Sequence, residues 1–263
     1  MKTFEQQRAL VRRLNVIDDV FFHKIAENQA VCEEILRIIL DDPELEIIES
    51  QVQRFLRNVG THSVILDLLC CDKRKTQFNV EVQGEDKDNY QKRMRFNGSN
   101  IDTIFTERGI QYKKMPDVYL IFISKFDIFK QGKTIYHIDR TIRENGKSVY
   151  NGVHEIYVNT KVDDHTVLAE LMQYFRKSEG YHENFPKLCE QVNYYKEQKE
   201  GVQVMCDVIK EAERRGRRQG ARNASRKIAI GCLKNGIPAD VVARSIPELS
   251  YKEVESLQKK YLK

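Results

Sequence analysis

The chain has 263 residues, 41% of them hydrophobic, which suits a globular domain of about 200 residues with an appendage, or two small domains. The longest apolar stretch, residues 118–123, falls far short of the roughly 20 residues a membrane helix needs, and the charged N-terminus has no signal-like core, so a cytoplasmic protein with no membrane attachment is expected. The formal charge of +5 is uneven: from Met205 onward 14 Lys or Arg face 7 Asp or Glu, so the basic excess belongs to the tail and suits a polyanionic partner or a solvated charged helix.

Along the chain, Val20, Phe21, Ile25, Ile35, Leu36 and Ile39 recur at mostly helical spacing before Pro43 stops the pattern, which predicts one or two helices over residues 16–40. Residues 53–83 change to short runs rich in Val, Ile and Phe, broken at 58–60 and 72–75, and read as a strand meander. A polar helix is expected over 87–108, ending at Gly109, where glycine can take a left-handed cap. Residues 117–122 are apolar on both faces and predict a central buried strand. Extended segments at 135–138 and 155–158, set apart by the turns at 144–147 and 151–152, extend the sheet. Helical spacing returns over 167–175 and 192–209. The composition shifts near residue 200, which divides the chain into a domain over 1–200 and a basic helical tail over 201–263.

Six cysteines without a CxxC pair argue for reduced thiols and against a zinc site. The histidines show neither H-x3-H nor HExxH spacing, so none is assigned to catalysis, and no Gly-rich phosphate loop or G-x-S-x-G elbow is present. The chemistry concentrates elsewhere. If strands over 63–71 and 77–83 pair as an antiparallel hairpin centred near Arg74, residues whose numbers sum to about 148 face each other, and Asp67 lies opposite Glu81 with Gln83 beside it. Two carboxylates so placed repel each other and resist burial unless a cation such as Mg²⁺ joins them; otherwise they are ordinary polar residues on a solvent-facing strand.

Asp67, thirteen residues, then Glu81-Val82-Gln83 resembles the PD-(D/E)XK nuclease signature in its E-x-Q form. The likeness extends to DVFFHK from Asp19, YQKRMRFNGSNID from Tyr90, PDVYLIFISKFDIFKQG from Pro116, and the ERRGRRQG segment with IPADVVARSIPELSYKEVESL behind it. This ordered set resembles the PD-(D/E)XK nuclease family transposases, also called the recombination-promoting nuclease family. The resemblance implies an α/β fold with a restriction-endonuclease-like mixed sheet flanked by helices, DNA as substrate, and Mg²⁺, with Mn²⁺ as a substitute. By the same resemblance Asp67 and Glu81 are metal ligands, Gln83 orients water or contacts phosphate, and Asp19 is an additional ligand or simply a helix-capping acid. Arg93 is the helix arginine that would bind the scissile phosphate or form a structural ion pair.

Arg214, Arg215, Arg217 and Arg218 head the basic cluster and are expected to contact DNA. Gly216 and Gly220 interrupt it, so the segment is expected to order on a partner or within a homo-oligomer. Pro238, and Ser250 with Glu253, predict two short helices around 245–249, suited to helix-turn-helix-like DNA contact or to self-association. The sequence thus favours an Mg²⁺-dependent DNA endonuclease linked to transposition or recombination. The second reading is a catalytically lapsed DNA-binding or interaction module that keeps the fold.

Overall fold

In the computed structural model, which describes residues 3–56, 64–86, 89–106 and 109–261, three helices precede the sheet. α1 (Phe4–Val11) opens with a reciprocal cap in which Thr3 and Gln6 satisfy each other's backbone donors. α2 (Asp19–Ile25) turns Phe21, Phe22 and Ile25 inward. α3 (Gln29–Leu40) buries Val31, Cys32, Ile35, Leu36 and Ile39 as one apolar stripe and stops where Asp41 takes left-handed backbone, two residues before Pro43.

β1 (Ile47–Leu56), β2 (Val64–Asp72) and β3 (Gln77–Gln83) form the expected antiparallel meander; the predicted break at 58–60 lies outside the described residues. β3 then pairs in parallel with β4 (Val118–Ser124), and β4 with β6 (Val153–Asn159), while β5 (Ile135–Ile138) lies antiparallel on the edge. The sheet order is therefore β1-β2-β3-β4-β6-β5. A parallel pair needs a long crossover, and α4 (Tyr90–Phe105) supplies it between β3 and β4. α4 sets Tyr90, Met94 and Ile101 against Leu120, Phe122 and Tyr157, and Gly98 permits the close approach, since a Cβ there would meet the Leu120 side chain at 3.0 Å. β4 is buried along nearly its whole length, as its apolar run predicts.

α5 (Val167–Arg176) and α6 (Pro186–Glu197) pack against the N-terminal helices, α5 on α3 and α6 on α1, α2 and α3, and Arg12 of the segment after α1 clamps Glu197 at 2.8 Å, with Arg8 beside it. The stretch 192–209, expected as one helical segment, is two: extended backbone at Gln198 separates α6 from α7 (Lys199–Lys234). The chain closes so tightly there that a Cβ on Gly201 would lie 2.2 Å from the Tyr194 carbonyl oxygen.

Contacts divide the chain into a first unit ending at Cys206 and a second beginning at Asp207. In the second, α7 continues through Gly216 and Gly220, followed by α8 (Ala239–Ser245) and α9 (Tyr251–Tyr261). The expectation that the glycines leave this segment unformed without a partner is corrected. The Glu211–Arg215 pair lies just before the first glycine and the Glu213–Arg217 pair spans it, each one helical turn apart, and a small core of Ala229, Leu233, Val242, Leu249 and Val254 holds the far end. Ser250 and Glu253 form the predicted reciprocal cap. All six cysteines are free, and no described helix is long and apolar enough to cross a membrane.

Candidate active site

The register of the β2–β3 hairpin brings two carboxylates together. Leu68 faces Val80, Leu69 faces Asn79, Cys70 faces Phe78 and Cys71 faces Gln77, the register expected from the turn at Arg74. One step further out, side chains take over the ladder: Val82 N–H donates to Asp67 Oδ2 at 3.0 Å, and Asp67 N–H donates to Glu81 Oε1 at 3.3 Å. Each carboxylate thus satisfies a backbone donor that would otherwise go unpaired between parting strands.

Glu81 is fully buried. Its Oε1 also accepts from Asn79 Nδ2 at 3.0 Å, and Asn79 accepts in turn from Asn97 on α4 at 3.3 Å, so a buried amide relay sets the carboxylate's orientation. Arg93, one turn nearer the start of α4, donates to Glu81 Oε2 and lies 3.4 Å from Gln83 Oε1. Burial raises the Glu81 pKa to about 7, the charge on Asp67 adds to it, and Arg93, Asn79 and the Asp67 amide restrain the rise.

α2 approaches from the other side. His23 Nε2 stands 3.4 Å from Asp67 Oδ1 and 3.4 Å from Asp19 Oδ1, yet this buried nitrogen is aligned for a hydrogen bond with neither. Burial opposes charge on His23, but contact with Asp67 and the charges of Asp19, Asp67 and Glu81 outweigh it, so its pKa is raised above the ordinary value. The other ring nitrogen, Nδ1, lies 3.1 Å from Gln53 Nε2. Gln53 reaches it from a left-handed backbone (φ +50°) inside β1, a conformation that costs a non-glycine residue of order 1 kcal/mol or more. Nearby at the end of β4, Lys125 Nζ lies 2.7 Å from Asp18 Oδ1, close to Gly84.

Asp19, His23 and Asp67 therefore offer two carboxylate oxygens and an imidazole nitrogen within 4.8 Å of one another. A buried nitrogen 3.4 Å from two anionic oxygens, aligned for a hydrogen bond with neither, fits a divalent cation, which would satisfy all three at once. Of the residues singled out from sequence, Asp19, Asp67, Glu81, Gln83 and Arg93 converge here. The tail arginines lie in the second unit, exposed on α7, where Arg214 and Arg215 pair with Glu211 and Arg217 with Glu213. His23 and Gln53 escaped sequence reading. The one sequence signal for His23 is its position four residues after Asp19, which puts both on one helix face.

The family model for PD-(D/E)XK nuclease family transposases matches residues 19–228, a span that begins at Asp19 and contains every residue of this site. The chain belongs to this family. No curated protein and no solved structure matches it. In this PD-(D/E)XK chain the mixed six-stranded α/β sheet is of the restriction-endonuclease type, as expected, and the signature residues occupy the hairpin and the carboxyl ends of the parallel strands, where ligand sites of open α/β sheets lie. Membership connects the chain with nucleases linked to transposition. What its own site can do rests on the residues just described.

Proposed function

We propose that the protein is a divalent-metal-dependent DNA endonuclease that hydrolyses phosphodiester bonds during transposition or recombination. The observation that carries this reading is the buried His23 Nε2 gathered with the carboxylates of Asp19 and Asp67, beside a buried Glu81 whose ionisation a cation would favour. Asp19, His23 and Asp67 would hold the ion, with Glu81 alongside. Mg²⁺, with Mn²⁺ as a substitute, is the cofactor the family resemblance implies. When bound it orients water for in-line attack and neutralises charge on the leaving oxygen.

The chain's own groups divide the remaining work. Gln83 can position a water by hydrogen bonding but brings no positive charge. Arg93 stands 3.4 Å from it and supplies that charge at the same edge of the site, where a guanidinium can bind a phosphate through two parallel bonds. Arg214, Arg215, Arg217 and Arg218 add sequence-independent contacts to the DNA backbone; the local pairs of three of them with glutamates are weak and exchange readily for phosphate.

The test is cleavage of supercoiled plasmid with Mg²⁺, with Mn²⁺ and with chelator, for the wild type and for Asp67→Ala and Glu81→Ala. Metal-dependent cutting that disappears in both variants is expected. DNA binding without cutting in any metal would replace this reading with that of a lapsed module that keeps the fold.

A further inference from the structure

We infer that His23 is an inner ligand of the cation site and makes it selective for a first-row transition ion of the Mn²⁺ type over Mg²⁺. The inference rests on the nuclease reading and concerns which ion that site is built to hold.

The donor set is the first argument. Mg²⁺ prefers oxygen ligands and gives up its waters reluctantly, whereas imidazole nitrogen favours transition ions, and carboxylates remain acceptable to Mn²⁺. Asp19, His23 and Asp67 combine two carboxylates with one imidazole, and no cysteine sulfur joins the group to favour a softer metal. Glu81, the carboxylate that would complete an all-oxygen set with Asp67, already accepts from Asn79, the Asp67 amide and Arg93, while His23 Nε2 has only the 3.4 Å contacts with Asp19 and Asp67, neither of them an aligned hydrogen bond. The nitrogen is thus less committed to hydrogen bonds than the Glu81 carboxylate, and it already faces the two other ligands.

The second argument is how the ring is held. Histidines that bind metals are commonly oriented through their other nitrogen. Here that partner is Gln53, on strained backbone between Val52 and Arg54, which pair with Leu68 and Leu66, and 3.1 Å from Nδ1. As placed, the amide donates to Nδ1. Turned by half a rotation it accepts from Nδ1–H and leaves the lone pair of Nε2 for the ion. One side chain therefore serves both states of the ring without any change in backbone.

The experiment is Mn²⁺ binding to the full chain without DNA, followed by electron spin-echo spectroscopy of the bound ion and by competition with Mg²⁺. We expect nitrogen-14 coupling from a directly bound imidazole, absent in His23→Ala, and a preference for Mn²⁺ of about tenfold or more that collapses in that variant. His23→Asp, which restores an all-oxygen set, should still bind a cation but with the Mn²⁺ preference reduced. Nitrogen coupling in the wild type needs no variant to fold. Mn²⁺ bound with no nitrogen coupling, or with coupling that survives His23→Ala, overturns the assignment and leaves the nuclease reading standing. Binding of neither ion overturns both.

Discussion

Glu81→Gln removes an ionisable group from a fully buried position, and its effect on stability can be worked from the site. The folded protein holds the Glu81 proton to about pH 7, whereas a free glutamate releases it near 4.5. Through that interval the native state binds more protons than the unfolded chain, so Glu81 makes the fold progressively less stable as pH rises and levels off above about 7. At about 1.4 kcal/mol per pH unit the full cost is on the order of 3 kcal/mol. Glutamine keeps an oxygen for Asn79 and the Asp67 amide but leaves Arg93 without its anion, a loss softened because the Arg93 side chain is 34% exposed. The net gain should be on the order of 1–2 kcal/mol at pH 8.5, which raises Tm by about 2–6 °C, and should vanish near pH 5. Thermal denaturation in chelator at both pH values measures it. Because Asp19, His23 and Asp67 all remain, added Mn²⁺ should still stabilise the variant, but by less than the wild type, since the neutral amide places no anion beside the ion. A gain of equal size at both pH values, or a loss at pH 8.5, would refute the account of Glu81 as a buried carboxylate held against its own ionisation.

Three further outcomes follow from the same geometry. Because His23 and Glu81 both titrate above their ordinary values, cation binding should expel protons and tighten as pH rises from 6 to 8; calorimetry in buffers of different ionisation heat reads the protons, and an affinity flat over that range would contradict the assignment. Gly201→Ala should lower stability by roughly 2 kcal/mol or more, since the obstacle is the Tyr194 backbone, while Gly98→Ala, which presses only on the Leu120 side chain, should cost about 1 kcal/mol or less; equal Tm values for the two would show that the α6–α7 junction yields more than its packing implies. Replacing Arg214, Arg215, Arg217 and Arg218 together with Ser in the full chain should weaken DNA binding and make the slope of log K against log salt shallower by up to about 3–4; an unchanged slope would remove the tail from the DNA interface.

How far the site can be read from sequence depends on how local its contacts are. Asp67 and Glu81 sit on two strands joined by one tight turn, and a side-chain period of two with a hairpin centre suffices to bring them together just beyond the last backbone pair of the ladder. Arg93 follows from the same segment, since α4 is the crossover leaving β3. His23 meets Asp67 only because α2 packs against the sheet, and Gln53 meets His23 only because β1 adopts left-handed backbone at one residue, which no local propensity encourages in glutamine. The ion pair of Lys125 with Asp18 bridges 107 residues and was equally out of reach. The Gly216–Gly220 segment failed in the opposite direction: glycine's helix penalty of about 1 kcal/mol was legible, but the glutamate–arginine pairs beside it and the core formed with α8 and α9 outweigh it. Pattern thus located the two carboxylates, whereas the nitrogen donor that distinguishes one cation from another is set by the packing of a helix on a sheet.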